Sequence, residues 1–198
     1  MALHTPPDQW ASDAPIEEEQ LDSSQRSVKF WDNISVSGEP PEIAAIYMAP
    51  AHLIRRSHQI SVALFADELG KYGLTSVQYA SLLAIRDHGG IDQRGLGNIV
   101  AIDRSTVATM LKGLENKGLV RRLTPPENLR VKQLYITDAG NKLLRKTVEQ
   151  ISRIQQRLLA PLSAEEQDVF MALLSKLVHV NNKFSRVPLK LKMSDSAE

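Results

Sequence analysis

DRSTVATMLKGLENKGLVRR, residues 103–122, has the pattern of a capped helix, its glycine stop and the first residues of a strand. At helical periodicity Ser105, Thr109, Lys112 and Asn116 share one face, and Val107, Leu111 and Leu114 lie opposite. Asp103 stands where an N-cap belongs, because its carboxylate accepts from the unpaired N–H groups of a first turn, and Gly118 stands at the C-terminal stop. The apolar face predicts burial in a core. The other face is short, polar, basic and almost free of acid, and its side chains suit a polyanion.

Working outward on the N-terminal side, QRGLGNIVA reads as a short helix weakened by Gly95 and Gly97, with Asp92 as its N-cap and a tight turn at Ala101 and Ile102. Before it, Thr75 and Gln78 form a T-x-x-Q capping box opening LTSVQYASLLAIRDHGG, which Gly89 and Gly90 end. Two short helices joined by a tight turn and followed by a strand predict a helix-turn-helix with an appended element. That element is LVRRLTPPENLRVKQLYIT, two strands (119–124 and 131–137) around a proline-containing tip, a β-hairpin wing. A single long helix is expected from Thr137 or Asp138 to about Leu159, where Pro161 ends it. Ser163 and Glu166 form a second capping box, and Phe170, Leu173, Leu174, Leu177 and Val178 stripe the last helix.

At the other end, a helix is expected from Ala49 to about Leu69 with Pro50 at its first position. Ile54, His58, Ser61 and Phe65 share one face, while Leu53, Ile60 and Leu64 lie elsewhere around it. A helix apolar on several sides is buried on several sides, as at a dimer interface. The expected class is therefore mainly α with a small β-wing: a winged helix-turn-helix with long N- and C-terminal dimerisation helices.

The 198 residues carry a net charge of +1 that conceals an asymmetry. Residues 1–42 hold 9 acids and 2 bases, which leaves 14 acids and 22 bases to the rest. The expected organisation is an acidic, mostly disordered extension (1–42), interrupted by the apolar Phe30, Trp31 and Ile34, a folded region (43–186) and a flexible tail (187–198). Within the folded region the helix-turn-helix lobe with its wing is expected over about 75–137, and dimerisation helices over about 49–69 and 138–182. With no cysteine, thiolate nucleophiles and cysteine-ligated zinc are excluded. No stretch approaches a membrane span and no secretory signal opens the chain, so a cytoplasmic protein is expected. No catalytic motif stands out, neither G-x-S-x-G nor a Walker loop nor H-E-x-x-H, and an enzyme, a cofactor and a bound metal are not expected. His52 and His58, six residues apart, are poorly spaced for one metal on one helical face.

LTSVQYASLL, DRSTVATMLKGLENKGLVRR, LYITDAGNKLL and LSAEEQDVFMALLSKL, in that order across about residues 45–182, resemble the multiple-antibiotic-resistance regulator (MarR) family of bacterial winged helix-turn-helix repressors. The resemblance implies a homodimer with interlocked first and last helices, bound to a double-stranded DNA operator and in many members released by a small aromatic acid. It also implies a wing-tip Asp-x-Arg, for which this chain has Asn128, Leu129 and Arg130 within an atypical tip at Pro125–Leu129. On this reading Arg104, Ser105, Thr106 and Thr109 approach base edges or the nearest phosphates, Lys112 reads a phosphate or guanine, and Arg130 and Lys132 reach DNA from the wing. Arg121 and Arg122 are weaker candidates. His52, Arg55, Arg56, His58 and Tyr79 are the candidate pocket for a small aromatic carboxylate, since a cation pairs with the carboxylate and a phenol meets the ring. The helix around HLIRRSHQISVALF is most similar to regulators of aromatic or nicotinate-type catabolism. A histidine hydrogen-bonded across the dimer explains His58 equally well. The rival functional reading is a winged-helix protein-interaction module without DNA binding, with the acidic extension as its handle; in another, the extension folds over the basic lobes and lowers DNA affinity.

Overall fold

The computed structural model describes residues 43–47, 49–126 and 131–190. The acidic extension, Trp31 and its neighbours, and wing-tip residues 127–130 lie outside them. Contacts divide the chain into two units, Met1–Leu53 and Ile54–Glu198. In the first, helix α1 (Ile43–Tyr47) is followed by the opening of α2 (Pro50–Leu69), and the rings of Tyr47 and His52 meet edge to face at 5.6 Å. Pro50 occupies the first position of α2, where its missing N–H costs nothing.

In the second unit, α3 (Ser76–Asp87) opens on the Thr75–Gln78 capping box, with both reciprocal bonds made. It is followed by a two-residue strand β1 (Ile91–Asp92), α4 (Gln93–Val100), α5 (Arg104–Asn116), β2 (Val120–Leu123) and β3 (Gln133–Ile136). The strands form an antiparallel sheet in the order β1-β3-β2, with Val120 opposite Ile136 and Ile91 opposite Leu134. The wing is thus three-stranded. Leu82, Ile85, Leu96, Val107, Leu111, Leu114 and Leu134, from α3, α4, α5 and β3, are at most 1% exposed and form its core. Removing each such side chain from water contributes roughly 1.5–3 kcal/mol.

The single long helix expected after the wing is two: α6 (Asp138–Lys146) and α7 (Val148–Leu159). Buried Thr147 lies between them. Its hydroxyl donates to the carbonyls of Leu143 (2.9 Å) and Leu144 (3.1 Å), and its N–H is shared between the same two oxygens. A β-branched residue that back-bonds in this way competes with the helical ladder and interrupts it. Ion pairs of Arg153 and Arg157 with Glu68, and a small cluster of Phe65, Leu69 and Ile154, hold α7 against the end of α2.

The last helix, α8 (Ala164–Asn181), starts on the expected Ser163–Glu166 capping box. Phe170, Leu173, Leu177 and Val178 on it, and Ile54, Ile60 and Val62 on α2, are exposed in a single chain. The chain does not loosen directly after Arg186: residues 187–190 are held by hydrogen bonds to Asn182, Ser185 and Asn98.

Gly140 joins wing to α6 at very short range. A Cβ there would stand 2.5 Å from the Leu119 carbonyl oxygen and 2.6 Å from Ile136 Cγ1. Gly140→Ala should therefore cost about 2–3 kcal/mol in urea unfolding through overpacking against backbone. Gly70→Ala, with nothing within 4 Å of the added carbon, should stay within about 0.5 kcal/mol of the parent.

Candidate nucleic-acid interface

The orientation of α5 is set by its junction with α4. Ala101 adopts a left-handed conformation (φ 52°) and, with Ile102, returns its N–H to the Gly97 carbonyl, closing a three-residue turn. Gly97 makes the crossing close: a Cβ there would lie 3.0 Å from the Ile102 carbonyl oxygen and 3.3 Å from Val107 Cγ2. The residue that weakens α4 as a helix is thus the one that lets α5 pack on it.

Asp103 then starts α5. Its carboxylate accepts from the backbone N–H groups of Ser105 and Thr106 (both 3.0 Å) and from both of their hydroxyls. The Ser105 hydroxyl foremost, then the Thr106 N–H and hydroxyl, hold this carboxyl far below the usual carboxylate range. Thr109 donates its hydroxyl to the Ser105 carbonyl. Ser105 and Thr106 are therefore fixed over the helix start, and Arg104, Thr109 and Lys112 are exposed beyond them. On the far side Val107, Met110, Leu111 and Leu114 are buried, and the turn at Gly118 (φ 67°) ends the helix with its N–H on the Glu115 carbonyl.

A cleft of about 560 Å³ lies between the start of α4, the start of α5 and the wing, lined among others by Arg94, Asn98, Arg104, Lys132 and Val187. Asp92 and Asp103 also line it, but both carboxylates are engaged as helix caps. Gln93 reaches across to the Arg104 carbonyl at 3.4 Å. Arg94 is exposed and belongs to this set, although the sequence reading passed it over; its signal was the basic residue one step inside an Asp-capped helix.

Of the wing residues, Lys132 is exposed and donates to the Thr124 hydroxyl at 2.8 Å. Arg130 lies outside the described residues. Arg122 is turned back to Glu115, 2.7 Å away, as a charge contact along which its Nε–H is not aimed. Arg121 lies over the Tyr135 ring at 5.8 Å. Arg122 is thus paired with an acid, whereas Arg121 is exposed.

The effector candidates are less well assembled. Tyr79 is half-buried against Phe65 (ring centroids 6.2 Å apart), and burial pushes its phenol up, partly offset by Arg86. Arg55 donates to Gln59 on its own helix, and Arg56 and His58 are exposed. Among the described residues no hydrogen bond or ring contact joins Arg55, Arg56 or His58 to Tyr79, and His58 is exposed in the single chain. His52 is described only with Tyr47 in the first unit.

A helix-turn-helix whose second helix exposes Arg104, Thr109 and Lys112 on one face, a three-stranded wing and apolar flanking helices define a winged-helix DNA-binding transcription regulator. The MarR family model matches residues 74–132. The transcriptional regulator HosA of Escherichia coli O111:H- is 35% identical over 128 residues, 65% of this chain and 93% of that protein. The crystal structure of the PcaV transcriptional regulator from Streptomyces coelicolor superposes with a TM-score of 0.61 at 36% identity, over 68% of this chain and 98% of that one. BpsR of Bordetella bronchiseptica, whose DNA binding is regulated by 6-hydroxynicotinic acid, gives 0.60 at 28% identity, over 64% and 96%. The chain belongs to the MarR family, whose members are transcriptional regulators and not enzymes.

Because the Asp103 pKa is lowered on folding, its cap contributes above the unfolded value of about 3.9 and fades as pH falls below it toward the folded value. Asp103→Ala should lower the thermal midpoint by about 4 °C at pH 7. In acid the difference between the two proteins should shrink, read by circular dichroism.

Proposed function

We propose that the chain is a homodimeric repressor that binds a pseudo-palindromic operator through two copies of α5 and leaves it when a small aromatic acid binds. The observation that carries the reading is the face of α5: Arg104, Thr109 and Lys112 exposed beyond a helix start tied to Asp103, with no acidic side chain among them. A helix of this kind fits the major groove, where Arg and Lys meet guanine edges or phosphates and hydroxyls meet either. Arg104 is assigned to a base edge or the nearest phosphate. Ser105 and Thr106 approach the same base edges or phosphates: with the proton on Asp103 each oxygen can accept from a base amino group, and meeting a phosphate requires the hydroxyl to turn from Asp103; Thr109 and Lys112 continue the face. Lys132 and Arg130 are assigned to the backbone or minor groove beside it. The apolar faces of α2 and α8, uncovered in one chain, are what a second copy would bury. Twofold symmetry then presents the recognition helices to half-sites about 34 Å apart.

The effector half of the reading is supported by the edge-to-face pair of Tyr79 and Phe65 and by Arg55, Arg56 and His58 on the same helix as Phe65; His52 keeps its assignment from the sequence. The regulation of BpsR by 6-hydroxynicotinic acid supports this class of ligand. Such an acid acts only through unequal affinity for the two states, favouring a spacing of the lobes that mismatches the operator.

Binding to the DNA upstream of its own gene, followed by fluorescence anisotropy, tests both halves. Arg104→Ala should weaken binding about 10-fold or more and flatten discrimination against random duplex. Nicotinate-type or benzoate-type acids should release the wild-type complex. Tyr79→Phe should need about 5-fold more acid for release at unchanged DNA affinity, the loss expected for one hydrogen bond. Equal, weak binding to both duplexes by both proteins would reject the operator reading. Failure of every such acid to release a specific complex would reject the effector class.

A further inference from the structure

The chain beyond α8 does not leave the molecule at once. After a single turn of 3₁₀ helix (Asn182–Phe184), Asn182 clamps the segment from both sides: its Nδ2 donates to the Leu189 carbonyl (3.0 Å) and its Oδ1 accepts from the Leu189 N–H (2.8 Å). The Ser185 hydroxyl closes a smaller loop, donating to the Val187 carbonyl (3.0 Å) and accepting from its N–H (3.2 Å). The Lys190 N–H then donates to the Asn98 carbonyl at 3.0 Å. Asn98 is in the last turn of α4, where carbonyls lack a helical partner, so this contact satisfies an orphan acceptor of the helix-turn-helix itself. Pro188 limits the backbone freedom between the two attachments.

The consequence is positional. Val187 lines the same cleft as Arg94, Arg104 and Lys132. Between Asn182 and Lys190 there are three cations, Lys183, Arg186 and Lys190, and no acid. Lys183 stands over the Phe184 ring at 5.0 Å, whereas Arg186 and Lys190 are exposed. A basic segment fixed to the rim of a basic cleft adds to one electrostatic surface, and phosphate neutralisation is the kind of contact such scattered cations make.

We propose that Ser185–Lys190 is a strap that contacts the DNA backbone, with Arg186 and Lys190 as sequence-independent phosphate contacts beside the cleft and Asn182 as the residue that positions them. The assignment rests on the reading of α5 as the DNA-facing helix and extends it. Capping of α4 by the Lys190 N–H needs no side-chain charge, so the structural and the DNA-binding roles separate cleanly in the Arg186→Ala/Lys190→Ala double variant, which keeps every backbone bond.

The test is anisotropy on the upstream duplex and on a random duplex across a salt series, with thermal midpoints confirming that each variant folds. Each phosphate contact contributes about 0.9 to the slope of log affinity against log salt. The double variant should show a slope shallower by about 1–2 and a loss of several-fold on both duplexes alike, so that specificity is retained. Asn182→Ala should move both readouts in the same direction with all charges in place. An unchanged or tightened affinity at unchanged slope in the double variant, beside a steep wild type, overturns the strap alone. A wild type with no salt-dependent binding overturns the α5 reading and the strap together.

Discussion

The carboxylate of Asp103 collects four hydrogen bonds, two from backbone N–H groups and two from hydroxyls, at the point where α4 hands over to α5. The pattern fixes where α5 begins, satisfies donors that a helix start leaves unpaired, and takes the Ser105 and Thr106 hydroxyls out of free rotation. A reading face needs this order, because side chains already held in place lose less entropy on meeting DNA. It also decides which groups are left over. With the hydroxyl protons of Ser105 and Thr106 on Asp103 and that of Thr109 on the Ser105 carbonyl, Arg104 and Lys112 are the exposed donors left on this face.

The rest of the lobe holds that helix start in register. Gly97 admits the close crossing of α4 and α5, and the buried leucines of α3, α5 and β3 lock the helix pair to the wing. At the other end Gly140 brings α6 hard against β2 and β3. The break at Thr147 is a second junction, between a helix that packs on the lobe and one that packs on α2.

Local physics was legible in the sequence where it is local. The side-chain caps at Thr75, Asp92, Asp103 and Ser163, the glycine stop at 118 and the two faces of α5 follow from short-range spacing, and each is found where the pattern puts it. The two-residue strand β1 was not legible, because two residues after paired glycines show no alternation; only pairing with β3 makes them a strand. The break at Thr147 was missed because one threonine costs a helix little until its hydroxyl back-bonds. Arg122 looked like a wing cation, and only the structure turns it to Glu115. The attachment of residues 187–190 depends on a bond between positions 98 and 190 that no window of sequence spans. The grouping of His58 with Tyr79 inferred from one helix face is not made within a single chain.

The proposed contact of α5 with DNA is through its Arg104 to Lys112 face. Amide chemical-shift mapping of the labelled protein against a duplex of its upstream DNA tests this most directly. The largest shifts and broadening should fall on residues 104–112 and on Lys132 and Arg94, with α2 and α8 changing little. Shifts concentrated on α2 or α8, with 104–112 undisturbed at saturation, would contradict it.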